Sequence, residues 1–193
     1  MTRDRMNLKG VRTLLVDADA FGASLMTQML HGLGLDNLEI ASSGSEAQKH
    51  VEAGAHDLCL CDADLPDMPA PALVQWVRHL PTQARFLPML VLTGYSDFRN
   101  VTAFRDAGAH LVMKKPASPQ ALYDRIAWVA RPPRAFVECE SYIGPDRRFR
   151  SVGPPGGVPR RATDLSSEIG VATEPNLSQD EIDSLMRPMR IVT

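Results

Sequence analysis

The sequence predicts an α/β fold: a five-stranded parallel sheet, doubly wound by helices on both faces. Three observations carry this. Five short apolar or β-branched runs recur between residues 13 and 130. Each is followed by a stretch with apolar residues at helical spacing. The polar residues that end the runs (Asp17, Asp62, Thr93) are the kinds that do chemistry at strand ends. Strands alternating with helices build parallel sheets, and right-handed crossovers leave few topologies.

The elements follow in order. Thr13 to Val16 is an apolar run stopped by Asp17, and Phe21, Leu25, Met29 and Leu33 stripe the helix after it. Leu38 to Ala41 is the second strand, and Ser45 to Ala53 a polar helix closed by Gly54. Leu58 to Cys61 is the third strand, followed by a helix with Leu73, Trp76, Val77 and Leu80 inward, ended by Pro81. Met89 to Leu92 leads to Thr93-Gly94, and Val101, Phe104 and Ala107 mark a helix closed by Gly108. Leu111 to Met113 runs into Lys114-Lys115-Pro116. Pro119 opens the last helix in its first turn, where its missing N–H costs nothing, with Leu122, Ile126 and Val129 inward.

That accounts for about two thirds of the 193 residues. The expected organisation is an N-terminal arm over 1–12, the α/β domain over 13–130, an arginine, proline and glycine-rich linker over 131–175, and a short amphipathic helix peptide within 176–193. The net charge of −2 conceals this division. All four lysines precede residue 131, whereas nine arginines and eight of the fifteen prolines lie from there on. The linker is expected to be largely irregular. The opening residues lack an apolar signal core, no run approaches a membrane span, and three cysteines are too few for a disulfide framework; a cytoplasmic location without membrane contact is expected. Cys59 and Cys61 read as small core residues, and the five histidines show no zinc-ligand spacing.

In an open parallel sheet, ligands bind at the carboxyl ends of the strands. Asp17 and Asp19, Asp62 and Asp64, Thr93 and Lys115 converge there. Carboxylates beside a lysine and a hydroxyl suit a hard cation and a phosphoryl group. A carboxylate so placed can act as an in-line nucleophile and form an aspartyl phosphate.

The pieces Leu14-Leu15-Val16-Asp17, Leu60-Cys61-Asp62-Ala63-Asp64-Leu65-Pro66, Val91-Leu92-Thr93-Gly94, Gly108-Ala109 and Lys115-Pro116 resemble the response-regulator receiver domain of two-component signalling, which has the flavodoxin-like doubly wound fold. The resemblance implies that Asp62 is the phosphoacceptor, that a histidine kinase is the donor, and that Mg2+ sits on Asp17, Asp62 and the backbone carbonyl of Asp64. It also implies phosphoryl contacts from Thr93 and Lys115. The chain departs from the family in three places. Ala18 stands where a second acid is usual, leaving Asp19 as the candidate replacement; Val112 stands in place of the aromatic before the lysine; and Pro69-Ala70 replaces Asp-Gly. Asp17-Ala18-Asp19 also resembles the opening motif of haloacid-dehalogenase phosphatases, but the late acidic pair of that family is not found after Lys115.

Two tail features add expectations. Seven arginines against three acids lie between residues 131 and 161. Arginine forks pair with phosphate and guanine edges and stack on rings. Arg161-Ala162-Thr163-Asp164 resembles the Arg-x-x-Asp element with which diguanylate cyclases bind cyclic di-GMP, making Arg147, Arg148, Arg160, Arg161 and Asp164 candidates for that ligand or another anion. Near the end, Ser178 and Glu181 form a capping box, and Leu177, Ile182, Leu185 and Met186 lie on one apolar face. That segment resembles the flagellar switch peptide that captures the phosphorylated chemotaxis regulator. It implies docking on this receiver or on another. No helix-turn-helix follows the domain, so the expected output is protein contact in chemotaxis or flagellar control rather than DNA binding, with no enzymatic turnover. The contrasting expectation is a weakly phosphorylated receiver scaffold that senses cyclic di-GMP.

Overall fold

The structure, a computed structural model, describes residues 6–54, 56–94, 98–130, 135–146 and 190–192. Five parallel strands form the main sheet: β1 (Arg12–Val16), β2 (Asn37–Ala41), β3 (Leu58–Asp62), β4 (Met89–Thr93) and β5 (Leu111–Lys114), in the order β2-β1-β3-β4-β5. Five helices alternate with them: α1 (Ala20–Gly32), α2 (Gly44–Ala53), α3 (Ala70–Arg78), α4 (Phe98–Asp106) and α5 (Pro119–Ala130). A short 3-10 turn over Gln83–Phe86 precedes β4.

The central strands β3 and β4 and most of β1 are apolar because both faces are covered, whereas the edge strand β2 is largely exposed. Leu15, Leu60, Leu90 and Leu92 pack with Met26, Leu30, Leu122 and Ile126 of α1 and α5. Leu14, Val16, Cys59, Cys61 and Val91 pack with Ala47, Val51, Leu73, Val74 and Phe104 of α2, α3 and α4. The strand order reverses between β1 and β3, and their carboxyl ends are the switch point where such sheets hold ligands.

Three boundaries differ from the expected ones. Residues 6–11 are part of the domain: Met6, Leu8 and Val11 are buried in the α1–α5 layer, and the Met6 N–H donates to the Tyr123 hydroxyl at 2.6 Å. These three apolar side chains close the core beneath β1. In α3 the inward stripe is Ala70, Leu73, Val74, Val77 and Arg78, while Trp76 and Leu80 are only half-buried. Third, the stretch after α5 contains a hairpin, β6 (Phe136–Cys139) and β7 (Tyr142–Pro145). β6 also pairs in parallel with β8 (Arg190–Val192), giving a second sheet of order β7-β6-β8. The linker expected over 131–175 thus holds paired strands, and the final segment ends in one.

The hairpin forms because Phe136 has a place to go. It is buried, its ring meets Phe86 edge-on at 4.8 Å, and Arg85 pairs with Glu138 at 3.0 Å. Its other strand lies against Gly108, at φ +98°; a Cβ there would stand 2.6 Å from the Ile143 carbonyl oxygen. Gly108→Ala combines left-handed strain with this backbone clash, so it is expected to lower stability by about 1–3 kcal/mol. A thermal melt within experimental error of wild type would show that the hairpin does not press on this turn.

Candidate functional site

Parallel pairing sets Val16 beside Cys61, so Asp17, just past β1, and Asp62, the last residue of β3, follow as neighbours. Thr93 ends β4, and Lys115 follows β5 with its N–H donating to the Thr93 carbonyl at 2.7 Å. The Lys115–Pro116 peptide bond is cis. The Lys115 ammonium donates to Asp62 Oδ2 at 2.7 Å and lies 3.6 Å from Asp17 Oδ2. Asp17, Asp62 and Thr93 are buried. The chain therefore brings together, at one sheet edge, four of the residues picked out from the sequence.

Two others take different positions. Asp64 is exposed, and its N–H reaches Asp62 Oδ1 at 3.4 Å. Asp19 caps α1, accepting the Gly22 N–H at 2.8 Å, while its own N–H donates to Asp17 Oδ1 at 3.0 Å. Its carboxylate still reaches the hollow beside Asp17. A Cβ on Gly22 would stand 3.0 Å from Asp17 Oδ2 and 3.1 Å from Asp19 Oδ2. Gly22 thus keeps open a cradle walled by two carboxylates, next to a third on Asp62. Hard oxygen donors around open space fit Mg2+, which takes one or two protein carboxylates and completes its shell with water and phosphate oxygens.

The loop carrying Asp62 and Asp64 is tied to α2. Asp67 accepts the Gly44 and Ser45 N–H groups, each at 2.8 Å, and the Ser45 hydroxyl at 2.6 Å. These bonds hold its carboxyl at about 2, below the usual range. Sequence reading missed this anchor; a polar Gly44-Ser45 start to a helix that needs an acceptor was the available sign.

The site's charges are unequal. Burial opposes the Lys115 ammonium, but the hydrogen bond and attraction of Asp62, with Asp17, outweigh it and raise its pKa. Burial raises the Asp17 carboxyl; the Asp19 N–H and Lys115 only partly counter it. A raised folded-state pKa means that ionised Asp17 disfavours folding at neutral pH, and that this cost vanishes as pH falls below the unfolded carboxyl value. Asp17→Asn keeps an oxygen for the Asp19 N–H. It is therefore expected to stabilise the metal-free chain at pH 7. Melts at pH 7 and pH 3.5 test this: the gain must shrink at the lower pH, and a loss at pH 7 would refute it.

Val112, in the place of the family's aromatic, is half-buried against the α3–α4 layer. Cys59 and Cys61 are buried in the core, and burial pushes the Cys59 thiol up to about 12. Arg147, Arg148, Arg160, Arg161 and Asp164, and the apolar face of Leu177, Ile182, Leu185 and Met186, lie outside the described residues. Among the described residues, no helix is long and apolar enough to cross a membrane.

Comparison with known proteins gives a consistent picture. The response regulator receiver domain family matches residues 13–127. The DNA-binding response regulator MtrA of Mycolicibacterium paratuberculosis is 32% identical over 115 residues, 60% of this chain and 49% of that protein. The CAI-1 autoinducer sensor kinase/phosphatase CqsS of Vibrio cholerae is 25% identical over 119 residues, 61% of this chain and 17% of that one. The chain thus spans half or less of the length of these relatives. Among solved structures, a CheY-like receiver domain protein from Methanospirillum hungatei superposes with a TM-score of 0.55 at 30% identity, covering 62% of this chain and 90% of its own. The chemotaxis response regulator CheY4 of Vibrio cholerae gives 0.57 at 25% identity, covering 62% and 98%.

Proposed function

Because this chain belongs to the response regulator receiver domain family, we propose that it is phosphorylated on Asp62 by a histidine kinase and signals by protein contact, in chemotaxis or flagellar control. The observation that carries the proposal is the 2.7 Å bond between Lys115 and Asp62 at the switch point of the sheet. It places a cation beside the carboxylate where negative charge accumulates during transfer.

In the step proposed, an Asp62 carboxylate oxygen attacks the phosphorus of a phosphohistidine. The P–O bond forms as the P–N bond breaks, and the imidazole leaves. Lys115 moves from the carboxylate to a phosphoryl oxygen, and the Thr93 hydroxyl donates to another. Asp17, Asp62 and the Asp64 carbonyl are the groups that would hold Mg2+, with Asp19 beside them as the candidate for the missing acid. The ion supplies positive charge that offsets repulsion between carboxylate and phosphoryl group. Asp67 keeps the loop, and with it Asp62, in place.

Chemotaxis is the favoured setting on two grounds: the similarity to a chemotaxis regulator, and the tail segment around Leu177 and Ile182 that resembles a receiver-binding peptide. Incubation of the purified chain with acetyl phosphate and Mg2+ tests the chemistry. One phosphoryl group per chain is expected by mass, with none on Asp62→Asn. An unlabelled wild type, or equal labelling of the variant, would sink the proposal.

A further inference from the structure

We propose that Glu39, His50 and His56 form a second metal site, distinct from the acidic site, which takes a borderline transition-metal cation such as Zn2+. Glu39 lies on the edge strand β2, His50 in the last turn of α2, and His56 just before β3. The pairing register puts Glu39 level with Leu14 of β1, and Leu14 level with Cys59 of β3, three residues short of Asp62 along the strand.

Two imidazoles converge on one oxygen. Nδ1 of His50 is 2.7 Å and Nε2 of His56 is 3.1 Å from Glu39 Oε2, and the three ligand atoms all lie within 4.8 Å of one another. A tetrahedral zinc holds N and O ligands at about 2.0–2.2 Å, which separates ligand atoms by roughly 3.3–3.6 Å. The two imidazole nitrogens, within 4.8 Å of each other, must stand at this same spacing, an adjustment open to the partly exposed His50. The two pairs with Glu39 need to open by less than about 1 Å to admit the ion. Glu39 is free to make that adjustment, because its side chain is half exposed. His56 is the fixed ligand, with its side chain only 6% exposed.

The ligand set suits the class of cation. Two imidazoles and one carboxylate match zinc and its neighbours, whereas Mg2+ prefers oxygen alone. A hollow of about 110 Å³ lined by Asn37, Glu39, Gly54 and His56 adjoins the cluster and has room for a water as fourth ligand. Arg12 also borders this hollow, but Asp57 grips its guanidinium at 2.6 and 2.9 Å and offsets its charge. Nδ1 of His56 is buried without a hydrogen-bond partner. Zinc-bound histidines normally have that partner, and its loss weakens affinity about 10–100-fold. The site is therefore expected to hold its cation less tightly than a fully supported zinc site.

Linear spacing hides the cluster. Glu39 and His50 are separated by 11 residues and sit on different elements, and only the β2–α2–β3 crossover brings them together with His56.

The full chain, stripped with a chelator, is titrated with Zn2+ by calorimetry and with Co2+ by visible absorption. One Zn2+ per chain and the intense bands of four-coordinate Co2+ are expected. Both signals should be lost in His50→Ala and in Glu39→Ala, surface changes whose folding is checked by circular dichroism. Both should persist in Asp62→Asn, which separates this site from the acidic one. Three results would overturn the proposal: no binding by wild type, unchanged binding by both cluster variants, or loss of binding in Asp62→Asn.

Discussion

Arg78→Met is expected to cost about 3 kcal/mol of stability, a fall of roughly 10 °C in Tm for a chain of this size. Arg78 ends α3 with no exposed surface. Its guanidinium donates to the Gly108 carbonyl at 2.9 Å, the Arg85 carbonyl at 2.8 Å and the Leu87 carbonyl at 3.0 Å. It also reaches His110 Nδ1 at 3.2 Å, an atom that accepts the Met89 N–H at the same distance and is therefore the unprotonated nitrogen. Burial pushes the Arg78 pKa down to about 10, which still leaves it charged at neutral pH.

Methionine fills most of the same volume without a donor. Three carbonyls then lose their partner inside the protein, at about 1–2 kcal/mol each. Relief from burying a cation offsets part of that sum. The guanidinium also lies 5.5 Å from the Phe136 ring centroid, so the loss extends to the hairpin. Phe136→Leu measured alone and with Arg78→Met should give a coupling energy of about 0.5–1 kcal/mol. Denaturant melts decide the matter: a change below about 1 kcal/mol for Arg78→Met would mean that water reaches these carbonyls.

This arginine shows where sequence reading stopped. The five strands and five helices were legible because a parallel sheet buried on both faces needs continuous apolar strands between amphipathic helices. The site was legible for the same reason: Asp17, Asp62 and Thr93 each end such a run. Arg78 was not, since a charged residue at the end of a helix reads as solvated, and its four acceptors come from two separate segments, Arg85 with Leu87 and Gly108 with His110. The hairpin stayed hidden because the prolines around it dominate the composition. Its two-residue turn, Glu140-Ser141, also lacks the glycine or asparagine that usually marks one. Pro145 ends β7, where a proline at a strand end is tolerated. Asp19 shows a third kind of limit. Sequence places it near the site, but only the cap on α1 and the open space at Gly22 reveal that it has one task in the helix and an edge toward Asp17.

That double position makes Ala18→Asp the informative gain of function. The variant is expected to bind Mg2+ at least about tenfold more tightly, close to 1.4 kcal/mol, and to label from acetyl phosphate at correspondingly lower Mg2+. Ala18 is exposed at the end of β1, so an added carboxylate displaces no core atom. Unit charges 4 Å apart at an effective dielectric of 20 interact by about 4 kcal/mol. A divalent ion doubles that attraction, and repulsion from Asp17 and Asp62, with loss of hydration, cancels most of it. Without the ion the added charge has only repulsion to offer, so the same variant should melt below wild type in chelator and regain stability as Mg2+ is added. Asp19→Asn in the wild-type background separates two accounts of the natural chain. If Asp19 already supplies the missing charge, its loss weakens Mg2+ binding and Ala18→Asp adds little. If its carboxylate is committed to the Gly22 N–H, Asp19→Asn leaves Mg2+ binding unchanged, and Ala18→Asp shows the full gain because its oxygens have no helix to cap.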